Sequence, residues 1–242
     1  MLGLVAGVGA GVAFAALVAV AERATRRQVR WSWLLAAVGL LLAYWAVVIL
    51  GAGVQEALPW ARALRWNWTG KAISTLVTLA AAWAILRHDR AEAGLTLRQA
   101  PGSLGPAVLA TGLLCALAWA CEAMLADGRD LSGERLAFQA LMPGLDEELF
   151  FRGLLLAALT RAMPDRWRLL GAPVGPAGLI VTFIFAVGHG VGWADGRLTV
   201  DLPAFALTGA LGAGLLWLRQ RTGGVVAPII AHNLINLGNS FF

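Results

Sequence analysis

The sequence predicts an all-α polytopic membrane protein, about eight transmembrane helices packed as one domain over residues 1–242. Three observations predict it. Of the 242 residues 59% are hydrophobic and only 14% are charged, with a mean hydropathy of +0.73, where a soluble domain carries roughly 25% charged residues. A soluble fold needs a charged shell that this chain lacks, so the remaining solvent for its apolar surface is lipid. Apolar stretches near the bilayer-crossing length of about 20 residues recur at approximately 2–21, 31–53, 70–87, 104–126, 138–161, 176–193, 202–218 and 225–242. Arg, Asp, Pro and Gly collect between them.

The first stretch has no cationic segment ahead of it and is followed by Arg23, Arg26, Arg27 and Arg30. That order is expected of a retained first span with its N-terminus outside, not of a cleaved signal peptide, despite the Ala-Val-Ala at 19–21. Gly3, Gly7 and Gly11 have the spacing of tightly packed membrane helices, as do Gly188 and Gly192. After the second stretch, residues 54–69 set Trp60, Trp66 and Trp68 among Arg62 and Arg65, which reads as an interfacial amphipathic piece. In the fourth stretch Cys115 and Cys121 lie six apart, about 240° round a helix from each other; they do not pair locally and report no redox compartment. Glu122, near the end of that stretch, and His88, in the connector before it, read as boundary or solvated residues.

Eighteen of the 19 cations are Arg, and they are scattered through connectors instead of forming a stripe, so nucleic acid is not an expected partner of this chain, whose net charge is +5. Lys and Arg number 12 in connectors one, three, five and seven and 6 in two, four and six. By the positive-inside rule the odd connectors face the cytoplasm and both termini face outward.

The last four stretches carry the residues that lipid does not readily tolerate, since an ionisable group at mid-membrane costs about 2.5–3.5 kcal/mol on insertion scales. They form three clusters: Asp146-Glu147-Glu148 with Arg152, Phe185 with His189, and His232-Asn233 with Asn236. Glu148 and Arg152 are spaced i,i+4 with the acid first, the favoured order for a pair that neutralises itself. Successive residues on an α-helix point about 100° apart, so Glu147 and Glu148 face different targets and Glu147 is left as the free carboxylate. Pro143 and Gly144 predict a helix start or break that sets both acids in an early turn, at the positive end of the dipole. Phe185 and His189 share a face, and Gly190 and Gly192 thin the chain beside them. His232 and Asn236 project from one face and can donate to one point. A carboxylate, an imidazole and a pair of donors are the parts that activate water and hold an oxyanion. Taken singly, each has a plainer use: Glu148 with Arg152 as a structural ion pair, either His or Asn236 as a link between helices. Two acids, an Arg, two His and an Asn in four consecutive stretches are more than packing requires.

At these residues the sequence resembles the CAAX-processing and bacteriocin-processing (CPBP) intramembrane proteases, the group that includes the type II CAAX prenyl endopeptidases. Their pattern, Glu-Glu-x-x-x-Arg, then Phe-x-x-x-His, then His-x-x-x-Asn, appears as Glu147-Glu148 with Arg152, Phe185 with His189 and His232 with Asn236, in order and within residues 138–242. The approach Arg221-Thr-Gly-Gly-Val-Val-Ala-Pro228 before His232 is similar too. The resemblance implies a glutamate-type endopeptidase with no essential cofactor. Glu147 would be the general base on a water shared with His189, His232 and Asn236 the oxyanion site, and Glu148, Arg152 and Phe185 the support. Zinc is the alternative cofactor, but the His-Glu-x-x-His of zinc proteases is missing.

Depth sets the side on which such a site opens. At about 1.5 Å per residue, Glu147 lies roughly 14 Å from the connector-four end, Asn236 roughly 9 Å from the C-terminus and His189 one turn from connector six. All are even-side ends, so the site is expected to open to the outer face of a bacterial cytoplasmic membrane, onto an exported peptide or protein substrate, with its own membrane helix or lipid. A proton-coupled transporter would also use intramembrane acids and His, but no inverted repeat links the polar-poor first half to the second. A catalytically idle immunity or scaffold protein is the third possibility, and the complete motif set argues against it.

Overall fold

The computed structural model describes residues 2–86, 89, 91–125, 128–194 and 196–242; His88 lies outside them. The chain runs α1 (Leu2–Ala24), α2 (Trp31–Ala57), α3 (Trp68–Leu86) and α4 (Leu104–Leu125). It then forms one continuous rod made of α5 (Gly133–Pro143), a π-helical segment (Gly144–Leu155) and α6 (Leu156–Ala162), followed by α7 (Pro176–Gly190), α8 (Leu202–Thr222) and α9 (Val226–Asn239). Each of the eight apolar stretches has become one helical rod. α1, α2, α3, α4 and α8 are long and apolar enough to cross a membrane. α7 and α9, at 15 and 14 residues, rise about 23 and 21 Å, less than the roughly 30 Å of hydrocarbon.

The outer helices turn large apolar side chains outward, among them Leu35, Leu50, Leu76, Leu109 and Leu113, the pattern lipid favours. The central rod does the reverse. Phe150, Phe151, Leu155 and Leu159 are buried against Ile180, Val181 and Phe185 of α7 and Leu41 and Tyr44 of α2, and Leu154 against Ala82 and Leu86 of α3. The predicted glycine stripe is a packing seam: a Cβ on Gly11 would sit 2.8 Å from Ile184, and one on Gly3 would meet the backbone of Gly192 and Trp193 at 2.8 Å. α1 therefore lies directly on α7.

The connectors sort to two ends. At one end Glu134 accepts from the backbone N–H of Arg65 and Trp66 at 2.9 and 3.0 Å, Arg65 pairs with Asp130 at 3.6 Å, and Arg135 donates to Ser240 at 3.1 Å. At the other, Arg166 pairs with Glu22, Arg161 with Asp89 and Glu92 at 2.8 and 2.6 Å, and Arg221 donates to the Gly102 carbonyl at 2.7 Å. Connectors two and four thus meet the C-terminus, and connectors one, three, five and seven meet one another, as alternate crossings require.

Two features differ from the sequence expectation. Connectors five and six fold as antiparallel hairpins, β1 (Trp167–Leu169) with β2 (Ala172–Val174) and β3 (Val191–Ala194) with β4 (Arg197–Val200). Leu170 and Gly171, at φ 48° and 83°, supply the left-handed pair of a type I′ turn. Strands of three or four residues are too short to show an alternation. Residues 58–67 form turns instead of an amphipathic piece, because α2 runs on to Ala57 and side-chain amides fold the rest.

Candidate active site

The turn after α2 determines where α3 begins. Gln55 donates to the carbonyls of Leu64 and Trp66 at 3.4 and 2.9 Å and accepts from the Thr69 N–H at 3.0 Å. Asn67 accepts from the Gly70 N–H at 2.9 Å, capping the helix, and donates to the Val48 carbonyl at 3.2 Å. Gly51 and Gly70 allow the two backbones to meet, since a Cβ on Gly51 would fall 2.5 Å from the Gly70 Cα. Lys71 follows at once.

The central rod carries the acids. No new helix begins at Pro143 and Gly144, contrary to the sequence expectation: Pro143 is itself in the right-handed helical region and the chain continues with the wider i→i+5 bonding of a π-helix. The acids are therefore inside a rod, not at its positive end. At the junction the Gly144 N–H is taken by Asn233 Oδ1 of α9 at 2.8 Å. A Cβ on Gly144 would lie 2.6 Å from both that oxygen and the Ile229 carbonyl, so only glycine lets α9 lie this close.

Glu148 is completely buried and shared. Its Oε1 accepts from Arg152 Nη1 at 2.9 Å and from His232 Nδ1 at 2.8 Å. The Glu148 and Arg152 pair is thus not self-contained, as i,i+4 spacing had suggested, but orients His232 on another helix. Arg152 also donates to the Gly212 carbonyl at 3.1 Å and lies 4.1 Å over the Phe185 ring, a cation–π contact in a desolvated setting. The same ring sits 4.6 Å from the His189 ring and 6.0 Å from that of His232.

Glu147 faces the other way. Its Oε1 is 2.5 Å from Lys71 Nζ, and its Oε2 is buried with no partner among the described residues. Lys71 also reaches Asp146 Oδ2 at 3.2 Å. Asp146, completely buried, accepts further hydrogen bonds from Tyr44 at 2.7 Å and from Ser74.

His189, in the last turn of α7, has Nδ1 2.8 Å from the Phe185 carbonyl. A carbonyl only accepts, so Nδ1 carries the hydrogen and Nε2 is the nitrogen left for a ligand. Gly190 beside it accommodates α8, since a Cβ there would meet Phe205 at 2.5 Å. Asn236 stands one turn beyond His232 on α9, and its side chain makes no hydrogen bond among the described residues.

Glu147, Phe185, His189, His232 and Asn236 line one cavity of about 500 Å³, a size that accepts a small ligand or peptide segment. Glu148 and Arg152 stand behind it. Glu122, one turn from the end of α4, lines the cavity as well. The residues that sequence reasoning missed are Lys71, Tyr44 and Ser74, together with the parts played by Asp146 and Asn233. One signal was present, because Lys71 is the single lysine of the chain. Among the described residues no three His, Cys, Asp or Glu side chains gather as a metal-binding group. Residues 134–238 match the family model described as type II CAAX prenyl endopeptidase Rce1-like. Comparison with curated proteins and with solved structures finds no match.

Proposed function

With an Rce1-like domain over residues 134–238 of an integral membrane protein, we propose that the chain is an intramembrane endopeptidase that hydrolyses a peptide bond with water activated by Glu147 and His189. The observation that carries this reading is the asymmetry of Glu147, which lines a cavity with His189, His232 and Asn236 and has one carboxylate oxygen held by Lys71 while the other is buried without a partner among the described residues. The free Oε2 takes a proton from a water that also bonds His189 Nε2. The resulting hydroxide attacks the scissile carbonyl. The oxyanion is met by the Asn236 amide and by the His232 ring, which Glu148 orients through Nδ1. Glu147 then passes its proton to the leaving amine. No step calls for a metal.

The substrate is an exported or membrane-anchored peptide, reached from the outer face. Support for that side comes from the cation bias of the connectors and from the even-side location of the ends of α7, α9 and the rod.

The test is purified protein with two internally quenched substrates, a peptide ending in a farnesylated CAAX sequence and an exported peptide with its own membrane helix. Wild type cleaves at least one, whereas Glu147→Gln and His189→Ala do not. Equal cleavage by all three refutes the mechanism. Activity lost to a chelator and restored by zinc would replace it with a metal mechanism.

A further inference from the structure

The acid that the proposed reaction uses is held from outside the matched domain. Lys71 lies in the first turn of α3, where the positive end of the helix dipole disfavours a cation. Its side chain is nevertheless only 14% exposed, and its ammonium spans Glu147 Oε1 and Asp146 Oδ2 at 2.5 and 3.2 Å. Asp146 cannot yield to it, being fixed by Tyr44 and Ser74. The ammonium is therefore anchored on one acid while it pins the other. Two adjacent buried carboxylates repel each other, and a shared cation makes them compatible.

A glutamate side chain has several rotatable bonds, and a free one would swing either oxygen into the cavity or away from it. Binding Oε1 removes that freedom and leaves Oε2 as the unpartnered oxygen of a residue that lines the cavity. From this geometry we propose that Lys71 is the positioning residue for Glu147, so that α3 completes a site whose motifs all lie in the second half of the chain. The inference rests on the reading of Glu147 as the base. Lys71 acts through Glu147 and not on the substrate.

Two measurements test it. Carbodiimide treatment of the detergent-solubilised protein should join Lys71 to Glu147 as an amide with loss of water, seen by mass spectrometry; a cross-link to Asp146 alone, or none, overturns the pairing whether or not a substrate is cleaved. On the farnesylated CAAX peptide or the membrane-helix peptide, Lys71→Met should lower kcat by about 100-fold, the scale of losing one preorganised electrostatic contact. KM should stay within about twofold. Lys71→Arg should keep kcat within about tenfold of wild type, because it restores the charge. If Lys71→Met fails to fold, Lys71→Met with Asp146→Asn restores the buried charge balance and is held to the same kcat expectation. Wild-type kcat in the Lys71 variants with Glu147→Gln inactive overturns the inference alone. A rise confined to KM also overturns it, assigning Lys71 to substrate contact. Full activity of Glu147→Gln overturns the reading beneath it.

Discussion

Neighbouring acids on this rod meet opposite surroundings, and single substitutions should separate them. Glu148 holds two partners in full burial, so Glu148→Gln leaves Arg152 as an uncompensated buried charge, a loss of about 3–5 kcal/mol. Glu147→Gln costs far less, because Lys71 keeps Asp146. Thermal unfolding in detergent should show the first variant melting well below the second, while the second is the one that folds yet does not cleave. Outside the membrane, burial raises the Asp165 carboxyl above its ordinary range, against a hydrogen bond from Gln220 at 2.8 Å that lowers it. A raised folded value means stability is lost as pH climbs from the ordinary carboxylate value through the folded one. Asp165→Asn should therefore melt higher than wild type at pH 7 and should lack that fall between acid and neutral pH.

The π-helical segment is the element that makes the site. Its wider turns allow Glu147 to face the cavity while Glu148 and Arg152 face α7, α8 and α9. The α9 helix is held against its start by Gly144 and Asn233. Gly144→Ala should cost about 1–3 kcal/mol by overpacking against the Ile229 carbonyl and should lower cleavage, since displacing α9 moves His232 and Asn236 with it. Asn233→Ala removes one of the two acceptors of the Gly144 N–H and leaves it the Leu141 carbonyl, a smaller loss of about 1 kcal/mol. Thermal melts together with kcat on the same two variants would show both losses; a variant with wild-type melting and wild-type kcat would mean that the junction does not align the site.

Across the whole molecule, the two ends of the bundle separate connectors by parity. Single cysteines introduced at Arg65 and Asp130, in a background with Cys115 and Cys121 replaced, should react with a membrane-impermeant maleimide on intact cells. Cysteines at Arg98 and Arg168 should react only after lysis. The reverse pattern would turn the cavity toward the cytoplasm. The molecule also joins its halves chemically, since Tyr44, Lys71 and Ser74 from α2 and α3 all contact the acids of the second half.

Membrane residence and the pairs Glu148 with Arg152, Phe185 with His189 and His232 with Asn236 were legible in the chain itself, because hydropathy and i,i+4 spacing are properties of neighbours in sequence, whereas the grouping of Glu147 with His189 and His232 came from the family resemblance. The same local rule also misled. A Pro-Gly pair signals a break but not whether the rod restarts or widens, and here a side chain 89 residues away shares the Gly144 N–H with the Leu141 carbonyl. Glu148 looked satisfied by Arg152 until α9 brought His232 to it. Lys71 carries no signal in the sequence beyond being the single lysine, and only the packing of α3 on the rod makes it the partner of Glu147. Burial is set by every element at once. The chain alone therefore determined its solvent and its chemical groups, whereas the tertiary structure decided which acid is pinned, which is shared and which oxygen is left free.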